Sequence, residues 1–187
     1  MMKKNIARLL LRIAGWKIVG HLPEDASKCV VIMAPHTSNI DFFYGWLGYS
    51  SLGLNSSFLI KKEAFGRFSG PVLRAMGGIP VDRSRSSNVV LQLTEEFHKR
   101  NHFILTITPE GTRKLNRNWK RGFYFIAHSA KVPIVMGFLD YKRKEGGLGP
   151  VIYPDGNFDA DFEKIKAFYQ DKQARYPEKF SLTPEKQ

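Results

Sequence analysis

The chain has 187 residues, 43% of them hydrophobic, and a formal net charge of +12. This length supports one domain with its own core, and the single cysteine excludes an internal disulfide framework. The excess of cations calls for a negatively charged partner: nucleic acid, an anionic membrane surface or a phosphorylated substrate.

The first element expected is a helix from Lys3 to about Ala14. Lys4, Arg8 and Arg12 recur on one face, and Ile6, Leu9, Leu10 and Ile13 fall on the other. Gly15 is a stop signal. Arg8 and Arg12 interrupt the apolar part and no clear cleavage site follows, so the stretch does not read as a secretory signal. A helix of this kind fits a membrane interface, with its cations near the headgroups. Trp16 favours that reading over packing on the domain's own core. Residues 1–20 are assigned to this helix and 21–180 to one globular domain.

"CVVIMAP", Cys29 to Pro35, is a short continuous apolar run that suits a strand buried on both faces. Cys29 within it reads as a buried, inert thiol in a reducing, cytosol-facing location. A helix follows, with Ser38 or Asn39 as its cap. The uncharged run Phe42 to Ile60 contains glycines, serines and Asn55, and divides into a buried helix, a polar loop and the start of a strand rather than a membrane span. "SFLIKKE" is that second strand. "SGPVLRAMGG" is a short helix with Pro71 near its start, and "IPVDR" a third strand. Ser86 or Ser87 opens a helix to about Lys99. "HFILTIT" is a fourth strand, "RGFYFIAHSA" a helix and "VPIVMGFLDY" a fifth strand. "KRKEGGLG" reads as a turn, "PVIYP" as a last short strand, and "FDADFEKIKAFYQDKQARY" as a closing helix capped near Asp159. Strands alternating with helices predict a single α/β domain with a largely parallel, mixed sheet flanked by helices.

At the first strand-to-helix joint stand His36 and Asp41. Positions five apart differ by roughly 140° around a helix, so the two cannot share one helical face. They can meet if His36 lies in the loop and Asp41 in the first helical turn. The carboxylate then orients one imidazole nitrogen and leaves the other as a base. The competing reading of Asp41 is a charge placed favourably at a helix N-terminus.

Three more segments fall at loop ends: "GGIPVDRS", "TPEGTRK" and "VPIVMGF". With the His-x4-Asp block they occur in the order, and with the character, of the four blocks of the glycerol-phosphate and lysophosphatidic acid acyltransferase family, which the chain resembles from Ala34 to Phe138. The resemblance implies His36 as general base and Asp41 as its partner. It implies that Arg83 binds an acceptor phosphate, that Lys61 lies near that phosphate with Lys62 as a competitor, and that Glu110, Gly111, Thr112 and Arg113 shape the acceptor site. Pro35 and Thr108 depart from the family pattern, where asparagine and an aromatic residue are common.

The implied reaction moves a fatty acyl group from acyl-CoA or acyl-carrier protein to a lysophospholipid hydroxyl, 1-acylglycerol 3-phosphate first of all, giving phosphatidic acid. Other lyso-lipids and amino-acid-derived lipids are alternative acceptors. A thiolate leaves readily, so neither metal nor cofactor is expected; His21, His98, His102 and His128 are scattered. The basic stretch Arg113 to Arg121 surrounds Trp119 with five cations and suits anionic substrate, phospholipid headgroups or plain solvent. A non-catalytic basic protein binding membranes or nucleic acid is the alternative of another class; the absence of RNA-type aromatic motifs argues against nucleic acid. The expected location is peripheral, on the cytoplasmic face of a membrane, with an anionic lipid surface as partner.

Overall fold

The computed structural model describes residues 2–24, 26–81 and 86–183. Helix α1 spans Met2–Ile13 and strand β1 Lys17–Val19. Strand β2 is Lys28–Ala34, followed by α2, Ile40–Leu52, and β3, Ser56–Lys61. Then come α3, Ser69–Ala75, β4, Gly78–Val81, and α4, Ser86–Lys99. Strand β5 is Phe103–Ile107, α5 Gly122–Ala130 and β6 Ile134–Asp140. Strand β7, Glu145–Ile152, and α6, Phe158–Tyr169, complete the regular elements.

The seven strands form one sheet in the order β1-β7-β6-β2-β5-β3-β4. All pairings are parallel except β6 with β7. The α/β architecture with a largely parallel mixed sheet is thus as the alternating pattern predicts. Strand β2 is central because it alternates nothing: its apolar run is buried on both faces, with Cys29, Val30, Val31 and Ile32 fully enclosed. Burial pushes the Cys29 thiol up to about 12, which keeps it an inert apolar filler.

Several expectations are corrected. Strand β1 has no counterpart among the expected elements, because three residues carry no periodicity; it pairs with β7 from within the stretch 1–20. The expected turn over Lys142–Gly149 is mostly strand, and the strand expected at Pro150 is its second half. Its glycines serve close approach rather than turning: a Cβ on Gly147, at φ +156°, would lie 1.9 Å from the Val19 carbonyl oxygen of the neighbouring strand. The closing helix stops at Tyr169 instead of reaching Tyr176. The Tyr141 N–H bonds the Gln173 carbonyl (2.9 Å) and Ala174 is buried, so tertiary contacts divert the chain there. Asn157, not Asp159, caps that helix, accepting from the Ala160 N–H at 3.2 Å.

The reading of Trp16 is also corrected, and Trp119 is likewise buried. Trp16 is 7% exposed and packs on Tyr44 and Tyr141, with centroids 4.5 and 5.0 Å away. Trp119 is buried against Phe162 and Tyr169, pinning the basic loop to the core. Neither indole is a lipid anchor. The cationic face of α1 has a use inside the molecule as well. Lys4 donates to the Leu52 carbonyl (3.4 Å) and Arg8 to the Ser51 carbonyl (3.1 Å), supplying cations to the end of α2. Ala7 and Leu11 are buried, while Ile6, Leu9, Leu10 and Ile13 remain exposed.

Candidate active site

The parallel strands β2, β3, β4, β5 and β6 all point their carboxyl ends to one edge of the sheet, where sites form in open α/β folds. The candidate site residues read from the sequence lie at or just past these ends. His36 follows β2, Lys61 closes β3, and Glu110 to Arg113 follow β5. Arg83 comes two residues after β4 and lies outside the described residues, as does Asp82 of the expected third strand.

The loop after β2 folds around Asp41. In the first turn of α2, Asp41 is 3% exposed. Its Oδ2 accepts the Thr37 and Ser38 amides at 2.9 and 2.8 Å and lies 3.4 Å from His36 Nδ1. Its Oδ1 accepts the Tyr141 hydroxyl at 2.5 Å. Ser38 accepts the Ile40 N–H (3.3 Å), whereas Asn39 makes no side-chain cap. The His36–Asp41 distance is long for a hydrogen bond; catalytic bonds of this type tighten when substrate is bound. His36 keeps 18% of its side chain accessible, so one ring nitrogen faces a buried carboxylate while the ring itself still meets solvent.

Glu110 sits beside this unit because β5 is the neighbour of β2. Its Oε1 accepts the His36 backbone N–H at 2.9 Å. The residue is 2% exposed, and Oε2 has no partner among the described residues. The carboxyl thus turns inward, onto the backbone of His36. The loop is held by its neighbours: Asn116 donates to the Glu110 carbonyl (2.6 Å), and the Lys120 N–H to the Pro109 carbonyl (2.8 Å). Gly111 turns at φ +68°, where a Cβ would meet the Lys120 side chain at 2.8 Å. Thr112 accepts the Lys114 N–H (3.2 Å), and Lys61 and Arg113 are exposed at the same edge.

The two carboxyl groups have opposite electrostatics. Burial disfavours the charge on Asp41, but hydrogen bonds from His36, Tyr141 and Ser38 outweigh it and hold the carboxyl below its ordinary value. Glu110 is pushed up to about 8, chiefly by burial and further by the charge of Asp41, with only the His36 amide opposing. At neutral pH one carboxyl is ionised and faces the imidazole, while the other is neutral and accepts the backbone N–H of His36.

Sequence reading missed Tyr141, Thr37 as a buried residue, and Asn116. Thr37 accepts the Tyr176 N–H at 3.2 Å. A tyrosine just past an apolar strand carries no local signal of its partner, which is 100 residues away. Among the described residues no cluster of three or more His, Cys, Asp or Glu could hold a metal ion, and no helix is long and apolar enough to cross a membrane.

This architecture and site define an acyltransferase: the Acyltransferase family model matches residues 17–136, and the chain belongs to that family. Its fold is similar to that of the crystal structure of PlsC from Thermotoga maritima, described as a 1-acyl-sn-glycerophosphate (LPA) acyltransferase. The two are 16% identical, with a TM-score of 0.59 over 93% of this chain and 80% of that one. No curated protein matches the chain.

Proposed function

We propose that the protein transfers a fatty acyl group from acyl-CoA or acyl-carrier protein to the hydroxyl of 1-acylglycerol 3-phosphate, giving phosphatidic acid. The observation that carries this reading is the His36–Asp41 pair, buried on the carboxylate side and open on the imidazole side. His36 takes the acceptor's hydroxyl proton as the oxygen attacks the thioester carbonyl. Collapse of the tetrahedral intermediate breaks the C–S bond, and the imidazolium returns the proton to the departing thiolate. Asp41 holds the ring and stabilises its charged form. No covalent enzyme intermediate is needed, and the buried Cys29 takes no part.

Arg83 is assigned to the acceptor's phosphate, which an arginine fork fits bidentately, with Lys61 near it. Glu110, Gly111, Thr112 and Arg113 are assigned to shaping the acceptor site. The exposed row Ile6, Leu9, Leu10 and Ile13 supports peripheral attachment to the cytoplasmic face of a membrane.

The test is transfer of labelled acyl groups from acyl-CoA and from acyl-carrier protein to 1-acylglycerol 3-phosphate, with the phosphate-free monoacylglycerol alongside. Formation of phosphatidic acid by the wild type and its loss in a folded His36→Ala variant are expected. A folded wild type that acylates neither acceptor, or a His36→Ala variant with near-normal turnover, would refute the proposal. Preference for the phosphate-free acceptor would remove the phosphate assignment.

A further inference from the structure

The carboxylate of Asp41 is held from outside its own loop. Tyr141, the first residue after β6, donates its hydroxyl to Oδ1 at 2.5 Å. It lies beyond residues 17–136, the span matched by the family. Its ring stands edge-on to Trp16, and its backbone N–H bonds the Gln173 carbonyl. The segment after α6 continues past the site. The Arg175 guanidinium lies 6.0 Å from the Tyr141 ring and 5.6 Å from the Tyr176 ring, and the Tyr176 N–H reaches Thr37 at 3.2 Å. The His-x4-Asp loop is therefore fastened by two distant parts of the chain.

We propose that Tyr141 is a positioning residue for acyl transfer, fixing the plane of the Asp41 carboxylate so that Oδ2 faces His36 Nδ1. The proposal rests on the reading of His36 as the base. Oδ2 is committed to two backbone amides and faces the imidazole; Oδ1 has the phenol as its described donor. Without that hydroxyl, Oδ1 is a buried anion oxygen lacking its donor, and the carboxylate, whose terminal torsion has a broad energy profile, is held on one side only, by the two amides on Oδ2. Because His36 and Asp41 are already 3.4 Å apart, a small rotation breaks their contact. A phenol is well suited to hold the carboxylate. Burial and the adjacent Asp41 charge raise its ionisation well above the ordinary phenol range, so it stays a neutral donor at every working pH.

The titratable and charged groups around Asp41 are His36 on its own loop, Glu110 from the loop after β5 and Tyr141 after β6, with Arg175 behind the phenol.

The experiment compares Tyr141→Phe with wild type and His36→Ala, each normalised to folded protein, in kcat and KM across pH with 1-acylglycerol 3-phosphate and acyl-CoA or acyl-carrier protein, whichever the wild type uses. Phenylalanine keeps the ring packing against Trp16 and removes only the hydroxyl. The expected result is a kcat lower by about 10-fold or more, the low end of what losing an outer partner of an orienting ligand costs in metal sites, with both KM values within about twofold. Unchanged kcat in Tyr141→Phe, a change confined to KM, or a loss that vanishes on normalisation would overturn the proposal. An inactive His36→Ala beside an unaffected Tyr141→Phe defeats the tyrosine's role alone. An active His36→Ala defeats the base assignment and the tyrosine's role with it.

Discussion

Glu110→Gln isolates the consequence of burying a carboxyl beside another. Glutamine keeps the oxygen that accepts the His36 amide and replaces the unpartnered Oε2 by a neutral group of the same size. In the folded protein Glu110 ionises at about 8 instead of its ordinary 4.5. The folded state therefore holds this proton, and the unfolded chain releases it, throughout that interval. The sign follows from linkage: stability is greatest below the unfolded value and falls as pH rises through the folded one. At about 1.4 kcal/mol for each pH unit between the two values, the loss amounts to about 5 kcal/mol. Glutamine has no proton to lose, so the stability difference between wild type and variant carries this dependence by itself. Denaturant unfolding of both proteins from pH 4 to pH 9 should show wild type losing ground to the variant by several kcal/mol between about pH 4.5 and 8, then levelling. The pH-independent part of the difference reports the new buried amide and does not enter the slope. A difference that stays flat over this range would refute the argument that burial keeps Glu110 neutral.

Asp41→Asn keeps the shape of the residue but offers an amide where two backbone N–H groups and the imidazole need an acceptor. The kcat should fall by about a thousandfold or more, as when a triad loses its orienting carboxylate, while circular dichroism reports an intact fold; a loss below tenfold would contradict the assignment. Ile6, Leu9 and Ile13 replaced together by serine should abolish flotation with anionic liposomes without altering the unfolding midpoint, since all three are exposed. Undiminished flotation would place the membrane contact elsewhere.

The strand–helix alternation and the four motif blocks were legible because each lies on, or just beyond, one periodic segment. Asp41 could be placed in the first turn of α2 because Ser38 and Asn39 mark a helix start just before it, and angular spacing excluded a shared helical face with His36. What escaped reading depends on strand order. His36 and Glu110 are brought together because β5 pairs with β2, and Tyr141 reaches Asp41 because β6 pairs with β2 on the other side. Neither neighbour follows β2 in the chain, so local patterns carry no trace of the contacts. Trp16 misled for a related reason: an aromatic after an amphipathic helix resembles an interfacial anchor until Tyr44 and Tyr141 are seen to enclose it. The glycines of β7 misled because a turn and a tight strand contact ask for the same small residue.

The antiparallel bracing of α1 against α2 would give the proposed membrane attachment a kinetic consequence. The start of α1 is tied to the end of α2 through Lys4 and Leu52, and Trp16, beyond its other end, rests on Tyr44 near the start of α2. A 12-residue helix is about 18 Å long, so its free row would lie flat along a bilayer while the His-x4-Asp loop stays at a set height above it. A protein docked in that way meets its acceptor by lateral diffusion. Its velocity then follows the mole fraction of acceptor in the lipid surface, and diluting the acceptor with inert phospholipid at constant bulk concentration slows turnover as removing substrate from solution would for a soluble enzyme.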